Sequence, residues 1–123
     1  MLDACLNPEL AAEITCQPVR RHGVDAAVFF SDIMIPLALA GVEVTITAGV
    51  GPVFEQPVNS VTEVNRLVER RILDASAVEK AVALAVAELG EDTPVIGFAG
   101  APFTLAAYLV EGRGSRDHLG ARA

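Results

Sequence analysis

Two runs decide the fold. They are Val24-Asp25-Ala26-Ala27-Val28-Phe29-Phe30, closed by Ser31-Asp32, and Pro94-Val95-Ile96-Gly97-Phe98-Ala99, closed by Gly100-Ala101-Pro102. Each is short, largely apolar and bounded by glycine or small polar residues. That is the pattern of a strand buried on both faces, the kind found in parallel sheets covered by helices. Each run passes through a tight turn straight into a helical segment. In α/β sheets and barrels, ligand sites lie at this carboxyl end of the strands.

The flanking segments read as helices and one hairpin. Asn7-Pro8 is a helix start, because Asn caps free N–H groups and Pro fits the first turn. Leu10, Ile14 and Val19 form an apolar stripe running to Arg21. Pro18 is expected to kink or shorten that helix, and Gly23 to stop it. Residues 33–40 read as a short helix starting near Pro36. Val42 to Thr47 alternates as a strand with one wet face, Gly49, Gly51 and Pro52 mark a turn, and Val53-Phe54-Glu55 returns. Ser60-Val61-Thr62-Glu63 is a capping box opening a helix to about Arg70. Ser76 to Glu79 reads as a second. Val78, Val82, Ala85 and Leu89 then mark one face of an amphipathic helix that Gly90 ends. Pro102 opens a last helix through Glu111, and Gly112-Arg113-Gly114-Ser115 is a loop. The tail from Arg116 carries no strong signal. Strands alternating with helices make this an α/β chain with a parallel sheet.

Composition narrows the function. The 123 residues suit one small domain, and 52% are hydrophobic against 20% charged. The chain therefore reads as the interior of something larger. A net charge of −7 with no basic stripe sets nucleic acid and anionic membranes aside as partners. No apolar run reaches the ~18 residues of a membrane span, and there is no signal peptide. Cys5 and Cys16 are neither a CxxC pair nor a disulfide framework. They read as small buried hydrophobes of a reducing, cytoplasmic protein.

Asp32 is the sharpest chemical signal, an acid at the carboxyl end of a buried strand. A carboxylate there needs partners. Beside that reading stands a plainer one, in which Ser31 or Asp32 caps the next helix. Tyr108 lies about one and a half turns into the last helix, where a phenol is commonly core with its hydroxyl bonded. His22 and His118 have no Cys, His or acidic neighbours at metal spacing and read as surface or helix-end residues, so no metal site is expected. The glycines fit neither a dinucleotide fingerprint nor a phosphate loop.

Three stretches together resemble the uroporphyrinogen decarboxylase family. Gly23 to Ile33 resembles its first signature and Gly97 to Gly112 its second. Gly41-Val42-Glu43-Val44-Thr45 and Gly51-Pro52-Val53-Phe54 look like its hairpin, and Asn7 to Leu10 and Gln17 to Arg21 also fit. The resemblance covers nearly the whole chain in the right order. It implies a (β/α)8 barrel, of which residues 1–123 would be a partial domain holding the second and third strands. Such a barrel takes roughly 250 residues, so the chain is expected to be a truncated piece, inactive alone.

The implied reaction is the loss of four acetate carboxyl groups from uroporphyrinogen, giving coproporphyrinogen, with no cofactor. Asp32 matches the carboxylate that gathers the pyrrole N–H groups and stabilises the cation formed when a ring carbon is protonated. Tyr108 matches the active-site tyrosine. Phe29, Ile33 and Phe98 match pocket-wall positions. Arg113 stands where the family usually has glycine, and is placed to meet a substrate carboxylate or to clash with one. The resemblance also implies a homodimer for the full-length parent. The alternatives are a non-catalytic barrel fragment and a cobamide-dependent methyltransferase relative, whose zinc ligands have no counterpart at the matching positions.

Overall fold

The computed structural model describes residues 1–70 and 74–123. They form two compact units. One comprises Met1–Ile35 with Asp74–Ala99, the other Pro36–Leu73 with Gly100–Ala123.

In the first unit, α1 (Leu2–Cys5) leads into α2 (Pro8–His22), followed by β1 (Ala27–Val28). After the excursion through the other unit come α5 (Ser76–Leu89) and β4 (Val95–Ile96). The expected parallel pairing is present, with Ala27 opposite Val95 and Val28 opposite Ile96. Phe29 extends it, its N–H donating to the Ile96 carbonyl at 2.9 Å. α2 and α5 pack along small side chains. Ala11, Ala12 and Cys16 from one and Ala81 and Ala85 from the other are buried, with Phe29, Val78, Val82 and Val95 filling the remaining space. Small residues let the two backbones approach closely, and a close-packed interior has no slack for larger ones.

The local helix signals hold. Asn7 Oδ1 accepts from the Leu10 N–H at 3.0 Å, and Gly23 ends α2 in the left-handed region at φ 61°.

Several details differ from the sequence reading. Both β1 and β4 are covered on one face only: Ala27 is buried, while Val28 and Ile96 are 62% and 48% exposed. The helices of this unit reach just one side of the pair. The buried stripe of α2 is Ala11, Ala12, Thr15 and Cys16, and Leu10 is exposed. A tight helix contact selects small residues over large ones. Pro18 does not shorten α2, which continues to His22. The proline lies on the exposed side, where a carbonyl deprived of its partner can bond water. Ser76 caps nothing: Ala75 is the N-cap, and Asp74 Oδ1 accepts the Ser76 N–H at 2.8 Å.

The second unit holds most of α3 (Ile35–Leu39), the hairpin β2 (Thr45–Thr47) and β3 (Gly51–Val53), and α4 (Val61–Val68). α6 (Pro102–Glu111) and α7 (Leu119–Arg122) complete it. The hairpin pairs Thr45 with Val53 and Thr47 with Gly51, so Gly51 and Pro52 belong to the returning strand rather than the turn. The first capping box forms. Ser60 Oγ accepts from the Glu63 N–H, and the Glu63 carboxylate takes the Asn59 N–H at 3.0 Å.

Main-chain bonds tie the segment after the hairpin to the end of α6. Phe54 N–H donates to the Gly112 carbonyl and Val58 N–H to that of Leu109, both at 2.8 Å, while Val53 bridges Arg113. Gly112 has φ 74°, and a Cβ there would lie 2.8 Å from Pro57 Cγ. Only glycine meets both demands.

Candidate active site

Asp32 sits two residues beyond the point where the chain leaves the parallel pair. One carboxylate oxygen, Oδ1, accepts the Met34 N–H at 2.8 Å, and the Asp32 carbonyl accepts the Ile35 N–H at 3.1 Å. This side-chain turn leads into α3, so the capping reading holds for one oxygen. Oδ2 accepts no hydrogen bond among the described residues, and the side chain is only partly buried. The geometry therefore offers a held carboxylate with one oxygen available.

Met34 beneath the turn is fully buried, and Ile33 is half-buried. The Cys5 thiol is pushed above its ordinary value, first by burial and then by the Asp32 charge. Phe98, just past β4, is 49% exposed, an apolar ring open to a partner. Phe29 differs. It packs against Ala11 and Ala81 at 6% exposure, so it supports the strand from the helix side.

Tyr108 and Arg113 lie in the second unit. They line a cavity of about 160 Å³ with Phe103, Thr104, Ser115 and His118. Gly114 also lies on this wall, where a Cβ would meet the Tyr108 hydroxyl at 3.8 Å, an ordinary van der Waals contact. Arg113 is exposed and enters none of the ion pairs among the described residues. The wall thus carries a guanidinium and a phenol, two donors suited to a carboxylate.

Sequence reasoning missed two residues here. His118, read as a surface or helix-end residue, does stand at the N-terminal end of α7, but it is half-buried. Its ring stacks edge-on against Phe103 with centroids 5.7 Å apart, and its Nδ1 is buried with no partner among the described residues. Its backbone adopts φ 52° and its N–H donates to Ser115 Oγ at 3.2 Å. No spacing marks it, because its neighbours come from α6. Thr15 is the other. It is 1% exposed, and its hydroxyl oxygen accepts the Phe30 N–H at 2.9 Å. Among the described residues no three His, Cys, Asp or Glu side chains converge as a metal site.

With this geometry in place, likeness to known proteins settles the family. The model of the family described as "Uroporphyrinogen decarboxylase (URO-D)" matches residues 1–123. The chain belongs to the uroporphyrinogen decarboxylase family. It is 63% identical over 122 residues to the uroporphyrinogen decarboxylase of Arthrobacter sp. (strain FB24), covering 99% of this chain and 35% of that protein. With the Leifsonia xyli subsp. xyli (strain CTCB07) uroporphyrinogen decarboxylase it shares 64% over 127 residues, covering 99% of the chain and 33% of the relative. The chain thus spans about a third of the length of these relatives.

A solved methyltransferase from Methanosarcina mazei superposes with a TM-score of 0.66 at 21% identity, over 88% of this chain and 33% of that one. That likeness concerns the fold alone, an α/β arrangement with parallel strands. The described residues contain no helix long and apolar enough to cross a membrane.

Proposed function

We propose that the intact protein containing this chain is a cytoplasmic, homodimeric uroporphyrinogen decarboxylase. It removes the four acetate carboxyl groups of uroporphyrinogen to leave methyl groups. Residues 1–123 form a segment of its (β/α)8 barrel, carrying the second and third strands. The observation that carries this reading is Asp32, a half-buried carboxylate held by one oxygen and open at the other, at the carboxyl end of a parallel strand.

The chemistry follows from charge. Protonation of a pyrrole ring carbon creates a cation next to an acetate arm. The bond between the arm's CH2 and its carboxylate then breaks. CO2 leaves, and its bonding pair neutralises the ring and leaves an exocyclic methylene. A proton added to that carbon makes the methyl group, and the ring carbon releases the proton it first took up, restoring the pyrrole. A fixed anion in a site that excludes water stabilises the developing cation without reorganising. Asp32 has that role, its available oxygen facing the pyrrole N–H groups. Tyr108 and Arg113 hold a carboxylate arm at the cavity on α6. Ile33 and Phe98 supply apolar wall, and Phe29 backs the strand that carries Asp32. The reaction uses proton transfers and electrostatics, so no cofactor enters the proposal.

In the intact protein, Asp32→Asn should lower turnover of uroporphyrinogen by about a hundredfold or more. The far-ultraviolet circular dichroism should stay unchanged, because the amide oxygen still accepts the Met34 N–H. Activity within a few-fold of the parent would overturn the assignment.

A further inference from the structure

Among the described residues β1 has one paired edge. The N–H groups of Ala27 and Phe29 donate toward β4, to the carbonyls of Pro94 at 3.0 Å and Ile96 at 2.9 Å. Alternate N–H groups of a strand point to opposite edges, so those of Val28 and Phe30 point away from β4. An unpaired edge is a template for another strand.

At Phe30 that template ends. The N–H there is taken by Thr15 Oγ1 at 2.9 Å, from α2 rather than from a strand. The Thr15 hydroxyl hydrogen goes to the Ala11 carbonyl at 2.7 Å. The hydroxyl is thereby fixed in one sense, donor to its own helix and acceptor for the strand. It is 1% exposed, so water does not replace it. Two residues later the Asp32 turn begins, closed by the Met34 N–H at 2.8 Å.

We infer that Thr15 is a positioning residue for Asp32: it stops sheet pairing at Phe30 and fixes the point from which the carboxylate turn departs. The segment 29–32 then has an anchor at nearly every residue. Phe29 is tied to β4, Phe30 to α2, and Asp32 to its own turn. The side chain of Thr15 touches no substrate in this account. It acts through the backbone of Phe30, on the reading of Asp32 given above. Misplacing a reacting group by about 1 Å can cost on the order of 100-fold in rate.

The test uses the intact protein with Thr15→Val, which keeps the shape and removes the hydroxyl, and Thr15→Ser, which restores it. Thr15→Val is expected to lower kcat for uroporphyrinogen about tenfold or more, with KM changed less than kcat. Thr15→Ser should return within about twofold. Amide hydrogen exchange should quicken at Phe30 and at Met34 in Thr15→Val and recover in Thr15→Ser. If Thr15→Val does not fold, Thr15→Ala, which relieves any misfit against Ala11, takes its place with the same expectations.

A folded variant without the hydroxyl that keeps parental kcat, or that leaves Met34 exchange unchanged, overturns the inference. So does a serine variant that folds but fails to rescue. A parent protein that does not decarboxylate uroporphyrinogen would refute the proposed reaction instead, and the exchange at Met34 would still decide whether Thr15 positions Asp32.

Discussion

The two units are held together by different means, and the difference shows where each tolerates change. The first unit is closed by side chains: α2 and α5 meet on Ala11, Ala12, Cys16, Ala81 and Ala85, all 5% exposed or less. The second buries fewer groups, chiefly Phe54, Ala107 and Leu109, and relies on main-chain bonds gathered around Gly112. In the first unit the critical property of a residue is small volume. In the second it is backbone geometry. Asp32 belongs to the first kind of scaffold, on a side-chain-locked turn, and Tyr108 to the second, in the helix that ends at the glycine-dependent clasp.

The sharpest way to break this contrast is to overfill the first unit. Ala81 is fully buried between the helices. Ala81→Leu in the intact protein should cost roughly 1–3 kcal/mol, because the added side chain must displace the neighbours packed against Ala81. Ala106→Leu, on the exposed side of α6, should be near neutral. Urea unfolding of the two variants compares them, and equal effects would mean that the alanine contact is not close-packed.

The clasp of the second unit is tested by Gly112→Ala. A side chain in the left-handed region costs about 1–2 kcal/mol, and the Cβ also meets Pro57. The thermal unfolding midpoint should fall by several degrees. The same substitution at Gly97, which has no positive φ and no atom within 4 Å of its Cβ position, should not lower it. A neutral Gly112→Ala would remove the glycine from the account of that unit.

The smallest effect concerns the surface of the first unit. Lys80 donates to Glu9 at 2.6 Å, and Arg20 joins Glu13 and Glu88. The hydrogen bond from Lys80 holds the Glu9 carboxyl below its ordinary value, and that from Arg20 does the same for Glu13. Their folded values lie below the unfolded ones. The stabilisation is therefore complete above the ordinary glutamate value of about 4.3 and fades as pH falls through the lowered values. Both groups are fully exposed, so the change should be slight. Thermal unfolding from pH 6 downward should show a small loss that Glu9→Gln reduces further. A loss unaffected by that substitution would assign acid sensitivity elsewhere.

The site was only partly legible in the sequence. Asp32 stood out because it follows an apolar run, a purely local signal, and the competing cap reading was equally local; the structure holds one oxygen in the turn before α3 and leaves the other without a partner among the described residues. Tyr108 and Arg113 were marked by the family resemblance rather than by any pattern of their own. His118 was read only as a surface or helix-end residue, and Thr15 was not marked at all. Their partners, Phe103 and Phe30, lie 15 residues away along the chain, and no short spacing encodes such contacts.

What the sequence determined alone were the features whose physics is local. Asn7, Gly23, Gly90, Pro102 and the Ser60–Glu63 box set helix ends, because a cap needs only the residues within a turn of it. The long motifs likewise identified the family, which the family match bears out. Tertiary structure alone decided which side of α2 is buried, which face of β1 and β4 is covered, and what holds the Phe30 N–H. Those depend on α5, β4 and α2 meeting across long stretches of chain. Amphipathic patterning shows that a face wants burial, but only the packed partner shows which face receives it.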